Sequence, residues 1–411
     1  MAVSAGRWAA FRILRRVELE GGFAEDLLHS PLTGSLDRRD LGLAEELTLG
    51  VLRWQGALDG LLAEAAGRPV GKLDAEVRLA LRLGLYQLWR FDRVPRRAAV
   101  SESVEIVKRA RKVSAAGLVN AILRQAAEET LPERIPAEQC VPLWLVERWR
   151  RQFGDATAER LAQSTLRKPA TFLRLNARFD IQVTLRRLAE EGVETAATEL
   201  PFCRRAIAGR PVETACSQEG RIRLQDLGSQ RVASLLEPQP GHSFLDLCAA
   251  PGGKTFQILE QSDCRGRVIA CDLSAHRLKT MRRLATSAVD MLVLDATSPL
   301  PFSCRFDRIL VDAPCSGTGT LARNPEIKWR LTPADLERLS ALQCCILRQG
   351  LELLAPGGRL VYATCSLEVE ENERVVEAVL SGPFQRVEQR MWLPGEHSGD
   401  GFCAFVITRR G

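Results

Sequence analysis

FDRILVDAPCS, residues 306–316, decides the fold. Phe306 and the run Ile309–Val311, bounded by Pro314 and Gly317, read as a short buried strand ending on a charge, Asp312. The pattern recurs in GRLVYATCS, residues 358–366, a second apolar strand that delivers Cys365 at its carboxyl end. Between them lies a helix with legible ends. Thr332 is its N-cap, Pro333 its first residue, Leu336, Leu339, Leu342, Ile346 and Leu353 its apolar face, and Pro356-Gly357-Gly358 its stop. Strand, crossover helix and parallel strand predict a sheet with Asp312, Cys315 and Cys365 over one crevice, where open parallel sheets bind ligands.

Further strands are expected at Ser243–Leu247, Arg267–Asp272 and Met291–Asp295, with helices between, so residues 220–411 form a doubly wound α/β domain. Upstream the texture differs. Residues 1–135 carry apolar residues at helical spacing and turns at Gly21-Gly22, Gly67-Arg68-Pro69 and Val94-Pro95, the pattern of an all-α bundle. LPERIPAEQ, residues 131–139, reads as a linker. Residues 141–218, with a strand near Thr171–Asn176 and a helix over Ile181–Glu191 stopped by Gly192, read as a small α+β module.

The 411 residues suit two or three domains, and 45% hydrophobic content suits a soluble globular protein. No long apolar run and no cleavable amino-terminal signal pattern is visible, so the expected location is the cytoplasm. Twelve cysteines without a CxxC pair, and four histidines not spaced with them, suggest reduced thiols and no metal site. The net charge is only +6, but residues 82–124 hold ten Lys/Arg against three Asp/Glu and residues 147–174 seven against three. Such clusters suit a polyanion partner, most simply nucleic acid, or a solvated helix face.

The first α/β strand runs into Asp246-Leu-Cys248-Ala249-Ala250-Pro251-Gly252-Gly253-Lys254-Thr255. An acid, a turn with two glycines and a helix start let backbone amides approach a ligand closely. A P-loop would need glycine where Cys248 stands, and no GxGxxG fingerprint exists, which leaves S-adenosylmethionine as the cofactor. Asp272 closes the next strand, where a ribose would need a carboxylate, and Asp295 the third, where it could meet an adenine.

LDLCAAPGGKT, VDAPCSGTG with NPEIKWR, and YATCSLEVEENE together resemble the RNA cytosine-C5 methyltransferases of the Fmu/Sun/NOL1/NOP2 group, over essentially all of residues 220–411. The first 130 residues resemble the NusB-type RNA-binding domain of the bacterial members, which implies 16S ribosomal RNA as substrate and a Rossmann-like class I methyltransferase domain at the carboxyl end. Transfer RNA as substrate, and a non-catalytic RNA-binding assembly factor, are the alternatives; a monomer is expected. Cys403 stands where the group commonly has an aromatic residue.

Methylating carbon 5 of cytosine needs a thiolate on carbon 6, which turns the ring into an enamine. Either Cys315 or Cys365 could attack on position alone. The resemblance implies Cys365 as nucleophile, Cys315 as the thiol that assists product release, and Lys254 near the base or cofactor. A carboxyl at Asp312 could serve the ring nitrogen, and Lys254 could favour the thiolate. Glu370-Glu371-Asn372-Glu373 reads as the acidic first turn of a helix, with Asn372 near the Cys365 loop.

Overall fold

The computed structural model describes residues 3–92, 94–128, 132–262, 266–285 and 289–410. Leu131, the first residue of the expected linker, lies outside them. Packing divides the chain into two units, Met1–Arg167 with Leu321–Arg330, and Lys168–Thr320 with Leu331–Gly411.

The first unit is helical, with helices at Ala5–Glu20, Arg38–Ala66, Ala75–Arg90, Arg96–Arg109, Ala116–Glu128, Leu143–Phe153 and Asp155–Ser164. Asp37 caps the long second helix of this series by accepting the Asp40 N–H at 2.8 Å, and Gly67 ends it at φ 62°. Ala75–Arg90 is buried nearly all round, from Val77 through Leu79–Leu88, as the central helix of a bundle must be. The proline-rich linker breaks helix but not packing. Cys140, Leu145, Val146 and Trp149 beyond it are buried, and the helices to Ser164 fall within this packing unit, whose first segment ends at Arg167.

Residues 321–330, which follow the Cys315 loop in sequence, also pack here. Glu326 accepts the Ala24 N–H, Arg53 donates to the Ala322 carbonyl, and Lys328 donates to the Arg53 carbonyl at 2.9 Å. Trp329 lies against the bundle, its indole N–H on the Leu52 carbonyl at 2.9 Å.

Burial drives the Lys328 amine down from 10.5 to about 7. Between these values the unfolded chain binds a proton that the folded unit does not, so stability rises with pH across that window, by at most about 1.4 kcal/mol per pH unit for one group. Lys328→Met removes this contribution. Denaturant midpoints between about pH 7 and 9 are expected to climb more steeply in the parent than in the variant, and equal slopes would refute the assignment.

The second unit begins with an antiparallel sheet of β1 (Phe172–Leu175), β2 (Glu194–Ala197), β3 (Cys203–Ala208) and β4 (Ile222–Leu224), in the order β2-β3-β1-β4. A helix over Ile181–Glu190, capped by Asp180 and followed by Gly192 at φ 78°, joins β1 to β2.

Seven strands then make the main sheet: β5 (Phe244–Asp246), β6 (Val268–Asp272), β7 (Asp290–Val293), β8 (Phe306–Asp312), β9 (Leu354–Thr364), β10 (Phe384–Trp392) and β11 (Phe402–Arg409). Their order is β10-β11-β9-β8-β5-β6-β7, parallel from β9 to β7 and antiparallel at β10 and β11. Both faces of the central strands are covered, so side chains alternate between two cores rather than between core and water. Ile309, Val311, Leu360 and Tyr362 enter one core with Ile346 and Leu347 of the crossover helix. Leu310, Val361 and Ala363 enter the other, with Phe256 and Ile258 of the helix Gly253–Gln261.

Two expected boundaries move. The third strand stops at Val293, leaving Asp295 in the following turn, because Asp295 accepts the Thr297 N–H and hydroxyl and so starts the turn itself. The crossover helix begins at Pro333 after Thr332, as read, where Asp335 completes a capping box, but it ends at Glu352. Pro356-Gly357-Gly358 therefore lies inside β9, where the register against β8 slips between Phe306 and Arg308, and is a strand irregularity rather than the helix stop. Among the described residues no helix is long and apolar enough to cross a membrane.

Candidate active site

Alternation along the strands sets which way the reactive groups face. Asp312 has the parity of Leu310, and Cys365 that of Ala363, so both fall on the side of the sheet covered by the helix Gly253–Gln261. Lys254, in the first turn of that helix, donates to the Asp312 carboxylate at 2.7 Å. Burial opposes the ammonium charge, yet the Asp312 carboxylate outweighs it and raises the Lys254 pKa. The Cys365 sulfur is close enough to push in the same direction.

Cys315 arrives from the loop after β8, and its sulfur lies 3.3 Å from that of Cys365. The hydrogen bond to Cys365 first, then burial, hold the Cys315 thiol well above its ordinary range. The loops are clamped beneath the thiols, with the Gly319 N–H on the Cys365 carbonyl at 2.9 Å. A Cβ at Gly319 would come within 2.4 Å of the Gly401 carbonyl oxygen, so only glycine permits this approach. Asn372 bridges the Thr364 hydroxyl at 2.6 Å and the Ser366 carbonyl at 3.0 Å, fixing the backbone on either side of Cys365.

The turn Cys248–Gly253 lies next to this cluster in sequence and is tied to β6. Asp272 accepts the Ala250 N–H at 3.1 Å and, through its other oxygen, the Ser274 N–H at 2.8 Å. Gly252 sits at φ 103°, and a Cβ there would run into Phe256 and Met281. At Gly253 it would meet nothing nearer than 3.8 Å. Asp246 is the acid that sequence reasoning placed in the turn, but it is fully covered. It accepts from the Thr255 hydroxyl at 2.7 Å, and burial lifts its pKa to about 7, so it braces the turn from behind. Asp295 is exposed, and the bonds it accepts come from its own turn at Thr297. Cys403 is buried in the core of the sheet, out of reach of a base. Phe402 carries the neighbouring aromatic instead, with the Lys254 ammonium 5.1 Å from its ring centre.

Three family models match the chain: 16S rRNA methyltransferase RsmB/F over residues 233–404, the NusB family over 4–128, and the ferredoxin-like domain of RsmF/B-like methyltransferases over 141–208. Ribosomal RNA small subunit methyltransferase B of Escherichia coli is 33% identical over 98% of each chain, and that of Pasteurella multocida 36% identical over 89% of this chain and 87% of its own. The chain belongs to the RsmB/F family. A solved structure, that of PH0851, superposes over the full length of both chains with a TM-score of 0.85 at 24% identity, which matches the fold.

Membership makes this RsmB/F chain an S-adenosylmethionine-dependent methyltransferase of small-subunit ribosomal RNA, with a NusB-like helical region and a Rossmann-like catalytic domain. The glycine turn suits such a donor. Asp272 takes two backbone bonds and, on the Ala250 side, the Arg277 guanidinium at 3.4 Å, which leaves capacity for a hydroxyl on its other oxygen, and Leu273 beside it is 71% exposed, an apolar surface against which an adenine can lie.

Proposed function

We propose that the enzyme methylates carbon 5 of a cytosine in 16S ribosomal RNA through a covalent adduct at carbon 6. The observation that carries this reading is the pair of sulfurs 3.3 Å apart, with the Lys254–Asp312 ion pair on the same side of the sheet. Cys248–Lys254, Asp272 and Asp295 hold S-adenosylmethionine, which supplies an electrophilic methyl group when bound. The target base turns out of its stack to reach the site, as bases must when an enzyme works on a ring atom.

Cys365, its thiol proton given up to water, adds to carbon 6 as a thiolate, and negative charge spreads to the N3 edge. Asp312 faces that edge and polarises it, and the Lys254 ammonium passes a proton through the carboxylate to N3. Carbon 5 is then an enamine carbon able to take the methyl group. Once the Cys365 sulfur has become a thioether, the hydrogen bond that held the Cys315 proton is lost. Cys315 gives its proton to water and removes the carbon 5 proton as a thiolate, the Cys365 thiolate is expelled, and the N3 proton returns through the Asp312 carboxylate to the Lys254 amine.

Transfer of tritiated methyl groups to purified small-subunit RNA, followed by bisulfite mapping, tests the assignment. One cytosine protected from conversion is expected. Label recovered on a purine, on a ribose or on transfer RNA alone would overturn it.

A further inference from the structure

Beneath the two thiols lies a buried carboxylate that the proposed chemistry does not use. Glu371 is 0% exposed. One of its oxygens accepts the Ser316 N–H at 2.8 Å and the Gln343 side-chain amide at 3.0 Å, and the other accepts the hydroxyls of Ser316 and Ser366. A carboxylate has about four lone-pair sites, and four donors fill them, so none is free for a substrate. The two hydroxyls lie 3.1 Å apart, and each spends its single proton on Glu371. The residue is itself anchored, its carbonyl accepting from the Tyr362 hydroxyl at 2.6 Å.

The location of these donors gives the arrangement its meaning. Ser316 follows Cys315 and Ser366 follows Cys365. The ladder between β8 and β9 ends at Asp312 opposite Ala363, so beyond it the strands no longer hold the two loops in register. We propose that Glu371 is a positioning residue that takes over from the ladder, tying the two Cys-Ser dipeptides to one carboxylate and setting the spacing of Cys315 and Cys365. The proposal deepens the covalent reading above and rests on it for its catalytic consequence.

Thiol spacing can be read without RNA or methyl donor. Diamide, a diazene oxidant, takes one hydrogen from each thiol, its N=N becoming HN–NH as the S–S bond forms. Peptide mapping of the Cys315–Cys365 link over time compares the parent enzyme with Glu371→Ala and Glu371→Gln. Disulfide formation demands close sulfurs, so Glu371→Ala is expected to form the link at least about tenfold more slowly. Glu371→Gln, which keeps the shape and the acceptor oxygen, is expected to stay within about threefold of the parent.

With RNA and donor, Glu371→Ala is expected to lose about 100-fold in kcat with KM for RNA unchanged, the penalty of an ångström-scale misplacement, and Glu371→Gln to recover most of it. If Glu371→Ala does not fold, the Ser316→Ala/Ser366→Ala pair removes both hydroxyl donors and is expected to slow the link in the same way. Parent-like linking in whichever of these variants folds would overturn the proposal. Normal linking differences with no adduct in the parent would sink the covalent reading alone.

Discussion

Cys365→Ala is expected to abolish turnover. Without a sulfur on carbon 6 the cytosine ring keeps its aromatic character, and carbon 5 has no electron pair to offer a methyl group. A loss of at least about 10⁴-fold is expected, near 5.5 kcal/mol of transition-state stabilisation. The sulfur sits between the clamp at Gly319 and the Asn372 bridge, neither of which uses the side chain, so the variant should fold and bind donor as the parent does. Tritium transfer alongside calorimetric titration with S-adenosylmethionine separates the two. Binding retained with no transfer is the expected result, and full turnover in the variant would eliminate Cys365 as nucleophile.

Cys315→Ala should fail in a different way. The Cys365 hydrogen bond and burial raise the Cys315 pKa, and in the proposed cycle the first of these disappears when Cys365 becomes bonded to the base. A base for the carbon 5 proton is thereby released at the step that needs one. Alanine supplies none, so adduct forms, accepts the methyl group and stalls. One methyl per enzyme and an RNA–protein band that survives denaturing electrophoresis are expected, with steady turnover down about 10²- to 10⁴-fold, the usual weight of a positioned base. A Cys315→Ala enzyme that is slow but leaves no trapped band would place the cysteine elsewhere in the cycle. The double variant with Cys365→Ala should show no band, because the adduct precedes release.

Much of the site was legible because strand ends in a parallel sheet are local features. Asp312, Cys315 and Cys365 stand where apolar runs stop, and the Thr332-Pro333 helix start shows that the connection between them is a crossover. Which thiol attacks was not legible from spacing. What the linear pattern does not carry is the contact itself, the two sulfurs 3.3 Å apart with the Cys315 thiol raised by that hydrogen bond and by burial. Asp246 and Asp272 looked alike as acids at strand tips. The first turned out to brace the turn from within and the second to tie it to β6. Glu371 looked like one more acid in a helix's first turn, yet the helix starts only at Glu373, and Glu371 lies buried among donors from two distant segments and from nearby Ser366.

The order of apolar and polar residues determined by itself that this chain makes a helical region, a small mixed module and a parallel sheet, with two cysteines and an acid at the sheet's working edge. Periodicity and strand termination depend on near neighbours, and those are written in the chain. The tertiary structure alone decided that residues 321–330 pack with the helices, that Glu371 binds the serines next to both thiols, and that the two sulfurs meet. Each of these depends on which remote donors and apolar surfaces surround a group, and therefore on desolvation and hydrogen bonding that exist only once the chain has closed around it.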